Sequence, residues 1–105
     1  MLNASKIPTE YIELVKRHLN ITWDDDDTDA RIQEIMLDAE YALNHKLGAE
    51  VDYFGPGQAR RLYLDYCMYA FNDSLNEFDK AYLTEILQLR HIYEVQQYTD
   101  GEAEP

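Results

Sequence analysis

The sequence predicts an all-α protein, a small bundle of about four helices with a mobile acidic C-terminal tail. Three observations carry this. Apolar residues recur at helical spacing through most of the chain. The periodic segments are bracketed by capping or breaking residues. Only 4 Gly and 3 Pro occur in 105 residues, too few for the turns of an all-β design. The length suits one core and not two. Residues 1–98 are therefore expected to form a single helical domain, and residues 99–105 a flexible acidic tail.

The first helix is expected to start at Pro8, because the first helical position needs no amide hydrogen. Tyr11, Ile12, Val15 and Leu19 then follow at helical spacing. Glu10 and Glu13 lie early, and Lys16, Arg17 and His18 late, which complements the helix dipole. Asn20 is the expected stop. Ile21-Thr22-Trp23 is a short apolar link. Asp24 to Asp27, Thr28 and Asp29 read as the cap and first turn of a second helix, from about Asp27 to Leu47. Ile32, Ile35, Met36, Ala39, Ala42, Leu43 and Leu47 form its apolar stripe. Gly48 supplies a residue that can take a left-handed backbone after it.

From Ala49 to Gly57 the helical pattern breaks, most sharply at Gly55-Pro56-Gly57. Val51, Tyr53 and Phe54 keep this loop apolar enough to pack. A third helix is expected from about Gln58 to Asn72. Its stretch LYLDYCMYAF contains a single charge, Asp65. A helix apolar nearly all round is buried on more than one side. Its cover is either the domain's other helices or a neighbouring subunit. Ser74 and Glu77 match a capping box, with Asn76 as a competing cap. The fourth helix then runs to about Gln97. Phe78, Tyr82, Ile86, Leu89 and Tyr93 make its stripe, widened by Leu83, Leu87 and Ile92.

Charge and composition narrow the function. Against 9 Lys+Arg stand 21 Asp+Glu, a formal net charge of −12. Gripping nucleic acid over a basic surface runs on phosphate neutralisation and does not suit such a chain. A protein that DNA merely passes is still allowed. No apolar stretch approaches the roughly 20 residues that span a bilayer, so no membrane role is expected. MLNASKIPTEY has no apolar h-region, so no secretory signal is expected. Cys67 is the only cysteine, which excludes an internal disulfide and favours a reducing compartment.

Motifs for chemistry are weak. The Asp24–Asp29 cluster fails as an EF-hand in either register, because glycine and glutamate are missing where the loop requires them. It reads better as an over-supplied helix cap, with adventitious divalent-ion binding as the alternative. His18, His45 and His91 fall on three helices without metal-ligand spacing. Cys67, without a local basic residue, reads as a buried inert thiol. No nucleophile elbow, P-loop or dinucleotide fingerprint occurs. No enzyme activity and no cofactor are expected.

Two groups suggest an assembly. Arg60 and Arg61 open the third helix, where the dipole disfavours cations. They either pair locally, with Glu50 or Asp52, or form intersubunit ion pairs. Tyrosine carries a polar tip that favours half-buried places such as interfaces. Tyr63, Tyr66, Met68, Tyr69 and Phe71 are therefore candidates for a subunit interface, a tyrosine-rich internal core being the alternative.

The order of a short helix, ITWDDDDTDARIQEIMLDAEYALNHKLG, a Gly-Pro-Gly break, an Arg- and Tyr-rich helix ending YCMYAFNDSLNEF, and YLTEILQLRHIYEVQQY resembles a known family. It is that of the head–tail connector (adaptor) proteins of tailed double-stranded-DNA phages and prophages. The resemblance covers about residues 7 to 98 and rests on caps and apolar positions. It implies a small helical subunit of a ring, typically dodecameric, beneath the portal. Such a ring extends the DNA channel and provides the platform for the next head-completion or tail protein.

The implied partners are further copies of the chain, the portal and that downstream protein, with double-stranded DNA passing unbound. Connector subunits can remain monomeric until they meet the portal. The implied location is the head–tail junction of the virion, reached through the bacterial host cytoplasm. Gln96, Gln97 and Tyr98, at the base of the tail, are candidates for docking onto the portal. A ring needs two different patches on each subunit, and an acidic lumen repels phosphate. The competing readings are an acidic DNA mimic that inhibits a basic DNA-binding partner, and a helical assembly factor absent from the final particle.

Overall fold

In a computed structural model, described from residue 7 to residue 103 with side chains through residue 97, the helices are α1 (Thr9–His18), α2 (Asp26–Leu47), α3 (Gln58–Phe71) and α4 (Leu75–Ala103). Among the described residues there is no strand.

Local chemistry sets the ends. Pro8 stays extended (φ −56°, ψ 135°) just ahead of α1, one step before the position expected for it. Its carbonyl accepts the Tyr11 amide at 3.0 Å. Asn20 ends the segment in a left-handed conformation, φ 60°, which asparagine tolerates better than most residues. Asp25 caps α2, its Oδ2 accepting from the Thr28 amide at 3.1 Å and from the Thr28 hydroxyl at 2.8 Å. Gly48 closes α2 at φ 70°, where a Cβ would meet no atom but would strain the backbone.

The capping box expected at Ser74 takes another form. Ser74 Oγ turns back and donates to the Tyr69 carbonyl at 3.2 Å, so it serves the end of α3. The Glu77 amide bonds instead to the Ser74 carbonyl at 3.0 Å.

Helix α4 continues to Ala103, past its expected end near Gln97. Nothing between Tyr98 and Ala103 forbids a helix, since one interior glycine costs only about 1 kcal/mol. The change of character expected at residue 99 is therefore not a helix end, and residues 104–105 lie outside the described residues.

Helices α2 and α3 pack on each other and on both remaining helices, whereas α1 and α4 do not approach one another. This arrangement explains the apolar α3: Leu62 to Cys67 are buried at six consecutive positions, which no single neighbour could achieve. The cover is the domain's own helices. Met36, Ala39, Leu43 and Leu47 of α2 face them as fully buried partners. The Ala49–Gly57 loop closes the remaining side. Phe54 stacks on Tyr11 with ring centroids 3.8 Å apart, and Tyr53 stacks on Tyr63 at 5.0 Å.

Buried hydroxyls in this core find acceptors, as burial requires. Tyr63 donates to the Met36 carbonyl at 2.8 Å and Tyr53 to Asn44 Oδ1 at 2.7 Å. Burial raises the phenol pKa values of Tyr53 and Tyr63 well above the ordinary value. It pushes the Cys67 thiol up from 9.0 to about 12. The Lys16 ammonium is also raised, chiefly by its hydrogen bond to Asp24 and then by Asp29.

All four shifts act in the same direction on stability. Above the unfolded pKa values the unfolded chain releases protons that the folded chain retains, so stability falls as pH rises. Thermal melts are expected to hold a constant midpoint from pH 7 to about pH 8, below the ordinary thiol value, and to fall progressively above it. A midpoint unchanged at about pH 11 would show that Tyr53, Tyr63 and Cys67 ionise as readily in the folded chain as in the unfolded one.

The outer positions of α4 depart from expectation. Leu83, Leu87 and Ile92 were expected to widen the core stripe, yet they are 55%, 55% and 45% exposed. Phe78, Ile86 and Leu89, with Tyr82 and Tyr93 partly buried beside them, form the face of α4 that packs on the core, and among the described residues no helix lies beyond α4 to cover the other three.

Candidate functional site

The aromatic residues of α3 divide into two sets. Tyr63 is wholly enclosed and Tyr66 is 8% exposed, so their surfaces are already spent inside the bundle. Tyr66 meets Phe78 edge-on at 4.9 Å. For these two the internal-core reading applies, because α2, α4 and the loop converge on them. Tyr69, Met68 and Phe71 stay half-buried. Tyr69 packs edge-on against Phe78 and Tyr82. Arg31 lies over the Phe71 ring, 4.7 Å from its centroid, and its guanidinium donates to the Phe71 carbonyl at 2.9 Å.

Arg60 is half-buried and Arg61 exposed at the start of α3. Among the described residues neither forms an ion pair; Glu50 and Asp52, the local candidates, do not reach them. Gln97 donates to the Gly48 carbonyl at 3.3 Å, which ties α4 to the end of α2. Gln96 is exposed beside it. The Tyr98 side chain lies outside the described residues.

A polar node escaped the sequence reading. Asp65, 8% exposed, accepts from the Tyr82 hydroxyl at 2.8 Å on one oxygen and meets His18 Nε2 at 2.9 Å on the other. Burial, and after it the bond to Asp65, raises the Tyr82 phenol pKa well above its usual value. The node joins α1, α3 and α4 through one carboxylate. The signal was available: a lone acid in an apolar helix must be paired to be buried.

The acidic run is equally specific in its bonds. Lys16 Nζ sits between Asp24 Oδ1 at 3.0 Å and Asp29 Oδ1 at 3.1 Å, while Asp25 caps α2. Among the described residues no group of three His, Cys, Asp or Glu side chains is arranged to hold a metal. No described helix is long and apolar enough to cross a membrane.

What remains is surface. Trp23 is 51% exposed, Tyr41 73%, and Val95 of α4 49%. With 100° per residue, Leu83 and Leu87 occupy one side of α4, and Ile92 and Val95 a side about 130° away and more than a turn further on. The chain thus exposes apolar side chains on two different sides of one helix. No family model, no curated protein and no solved structure matches this chain.

Proposed function

We propose that the chain is a structural, non-catalytic subunit of a phage or prophage head–tail connector. In this reading, copies form a ring under the portal, extend the DNA channel and offer a platform to the next head-completion or tail protein, at the head–tail junction of the virion. The observation that carries the reading is the pair of separate apolar patches on α4, Leu83 with Leu87 and Ile92 with Val95. Head-to-tail contacts in a ring use two unlike patches per subunit.

The helical architecture and the sequence resemblance support the same reading, and a net charge of −12 per copy suits a channel that must not hold phosphate. The DNA-mimic alternative needs acids free to imitate phosphates. Of the acidic run, Asp24, Asp25 and Asp29 are engaged with Lys16 and with Thr28 at the start of α2, which leaves Asp26 and Asp27 as its acids without an ion pair among the described residues. The test is native mass spectrometry of the chain co-expressed with the portal protein of the same virus. A portal carrying a full ring of this chain is expected. Portal and chain that remain separate would refute the connector role.

A further inference from the structure

Between α2 and the C-terminal half of α3 lies a cleft of 260 Å³ whose apolar lining comes from Ile35, Tyr66 and Ala70. Three acids and one arginine share that lining. The arginine, Arg31, is already engaged, with the Phe71 ring and carbonyl and with Asp73 at 3.5 Å. Glu34 and Asp38 are left over: both are exposed, and neither forms an ion pair among the described residues. Their side of the bundle carries a negative field. After burial, the Asp38 and Asp79 carboxylates raise the Tyr66 phenol pKa, although Asp79 is paired with Lys46. An apolar cleft with two spare carboxylates suits a long cationic side chain. The stem packs on the apolar surface while the head meets the acids.

Such side chains are found at the other end of α3. Arg60 and Arg61 occupy its first turn, Arg61 exposed, where the dipole disfavours cations. No acid shares that turn. Neither arginine forms an ion pair among the described residues, so Glu50 and Asp52 lie beyond ion-pair distance. Asp65, one turn on from Arg61, is taken up by Tyr82 and His18. Arg61 and Ala70 are separated by about 14 Å along the axis of α3 and lie on opposite sides of it. One copy therefore cannot seat its own Arg61 in its own cleft, but two copies can.

We propose that Arg61 of one copy, with Arg60 beside it, enters the α2–α3 cleft of the next and pairs with Glu34 and Asp38. The contact is heterologous, so each copy keeps one arginine pair and one cleft for its two neighbours and the chain of contacts can close into a ring. Arginine is one of the residue types enriched at the energetic centre of protein contacts. The inference rests on the ring reading above and assigns it one specific contact.

Arg60→Glu with Arg61→Glu, and separately Glu34→Lys with Asp38→Lys, alter side chains that hold no internal ion pair. Both proteins should therefore melt within about 4 °C of the parent. The portal of the same virus is then titrated with each protein, and ring occupancy is read by native mass spectrometry. Each variant should need about tenfold more protein than the parent to fill the ring. An equimolar mixture of the two should fill it at the parent's concentration, because alternating copies again set acid against base at every junction.

Rings that fill equally well with either variant overturn the contact and leave the ring reading intact. A mixture that fails to recover does the same. A defect confined to the cleft variant overturns it by giving the cleft to the portal, and a defect confined to the arginine variant by placing the arginines elsewhere. A portal that takes up no ring of the parent protein refutes the ring reading, and the contact falls with it.

Discussion

Tyr63→Ala is expected to cost about 4 kcal/mol of folding stability, the range for removing a large aromatic from a packed core. Tyr63 is wholly buried, stacked on Tyr53 at 5.0 Å and edge-on to Phe54 at 5.3 Å. Truncation leaves a void between α2, α3 and the loop. It also removes the hydroxyl that donates to the Met36 carbonyl at 2.8 Å, in addition to that carbonyl's own helical bond.

A domain of this size is stable by about 5–15 kcal/mol in total, so the variant should melt some 20 °C lower, at about 4–8 °C per kcal/mol. Tyr63→Phe keeps the ring and removes only the hydroxyl, and should cost about 1 kcal/mol. Circular dichroism melts of the two variants separate packing from hydrogen bonding. A Tyr63→Ala protein that melts like the parent but fails to bind other copies would return Tyr63 to the subunit interface.

The helices were legible in the sequence because their signals are local. Pro8, Asp25 and Gly48 mark ends by chemistry that acts within one turn, and the stripe Ile32–Met36–Ala39–Leu43–Leu47 follows from period alone. The apolar loop around Tyr53 was legible for the same reason: aromatics that near a Gly-Pro-Gly break have to pack somewhere. The identity of the partner was not. LYLDYCMYAF reads the same whether its cover is a neighbouring subunit or α1, α2 and α4, since composition measures how much surface is buried and not by what. The same limit misplaced Leu83, Leu87 and Ile92. A helix stripe widened by leucines looks like core until the number of helices around it is known, and among the described residues none lies beyond α4. His18 does end α1, but its bond to Asp65 spans 47 positions, a separation that no local pattern encodes.

That distant partner is the basis of the second large effect. Asp65→Ala is expected to cost about 3 kcal/mol, the value of two hydrogen bonds to a charged acceptor with a discount for partial solvent access at His18. Asp65 is the link between α1 and α4, which do not otherwise approach each other. Its loss leaves the Tyr82 hydroxyl and the His18 ring without their acceptor at a site 8% exposed. Asp65→Asn keeps one carbonyl oxygen for Tyr82 and should cost about half as much. In a double-mutant cycle, Asp65→Ala and Tyr82→Phe should couple by about 1 kcal/mol, whereas Asp65→Ala and Asp25→Ala, on separate networks, should add.

The loss should also be uneven. Helix α1 is held by Val15, the Tyr11–Phe54 stack, the Lys16 ion pairs and this node, so removing the node should accelerate amide exchange in Thr9–His18 before it does so in α2. Exchange that rises equally in both helices would mean that Asp65 stabilises the bundle as a whole and does not fasten α1 in particular.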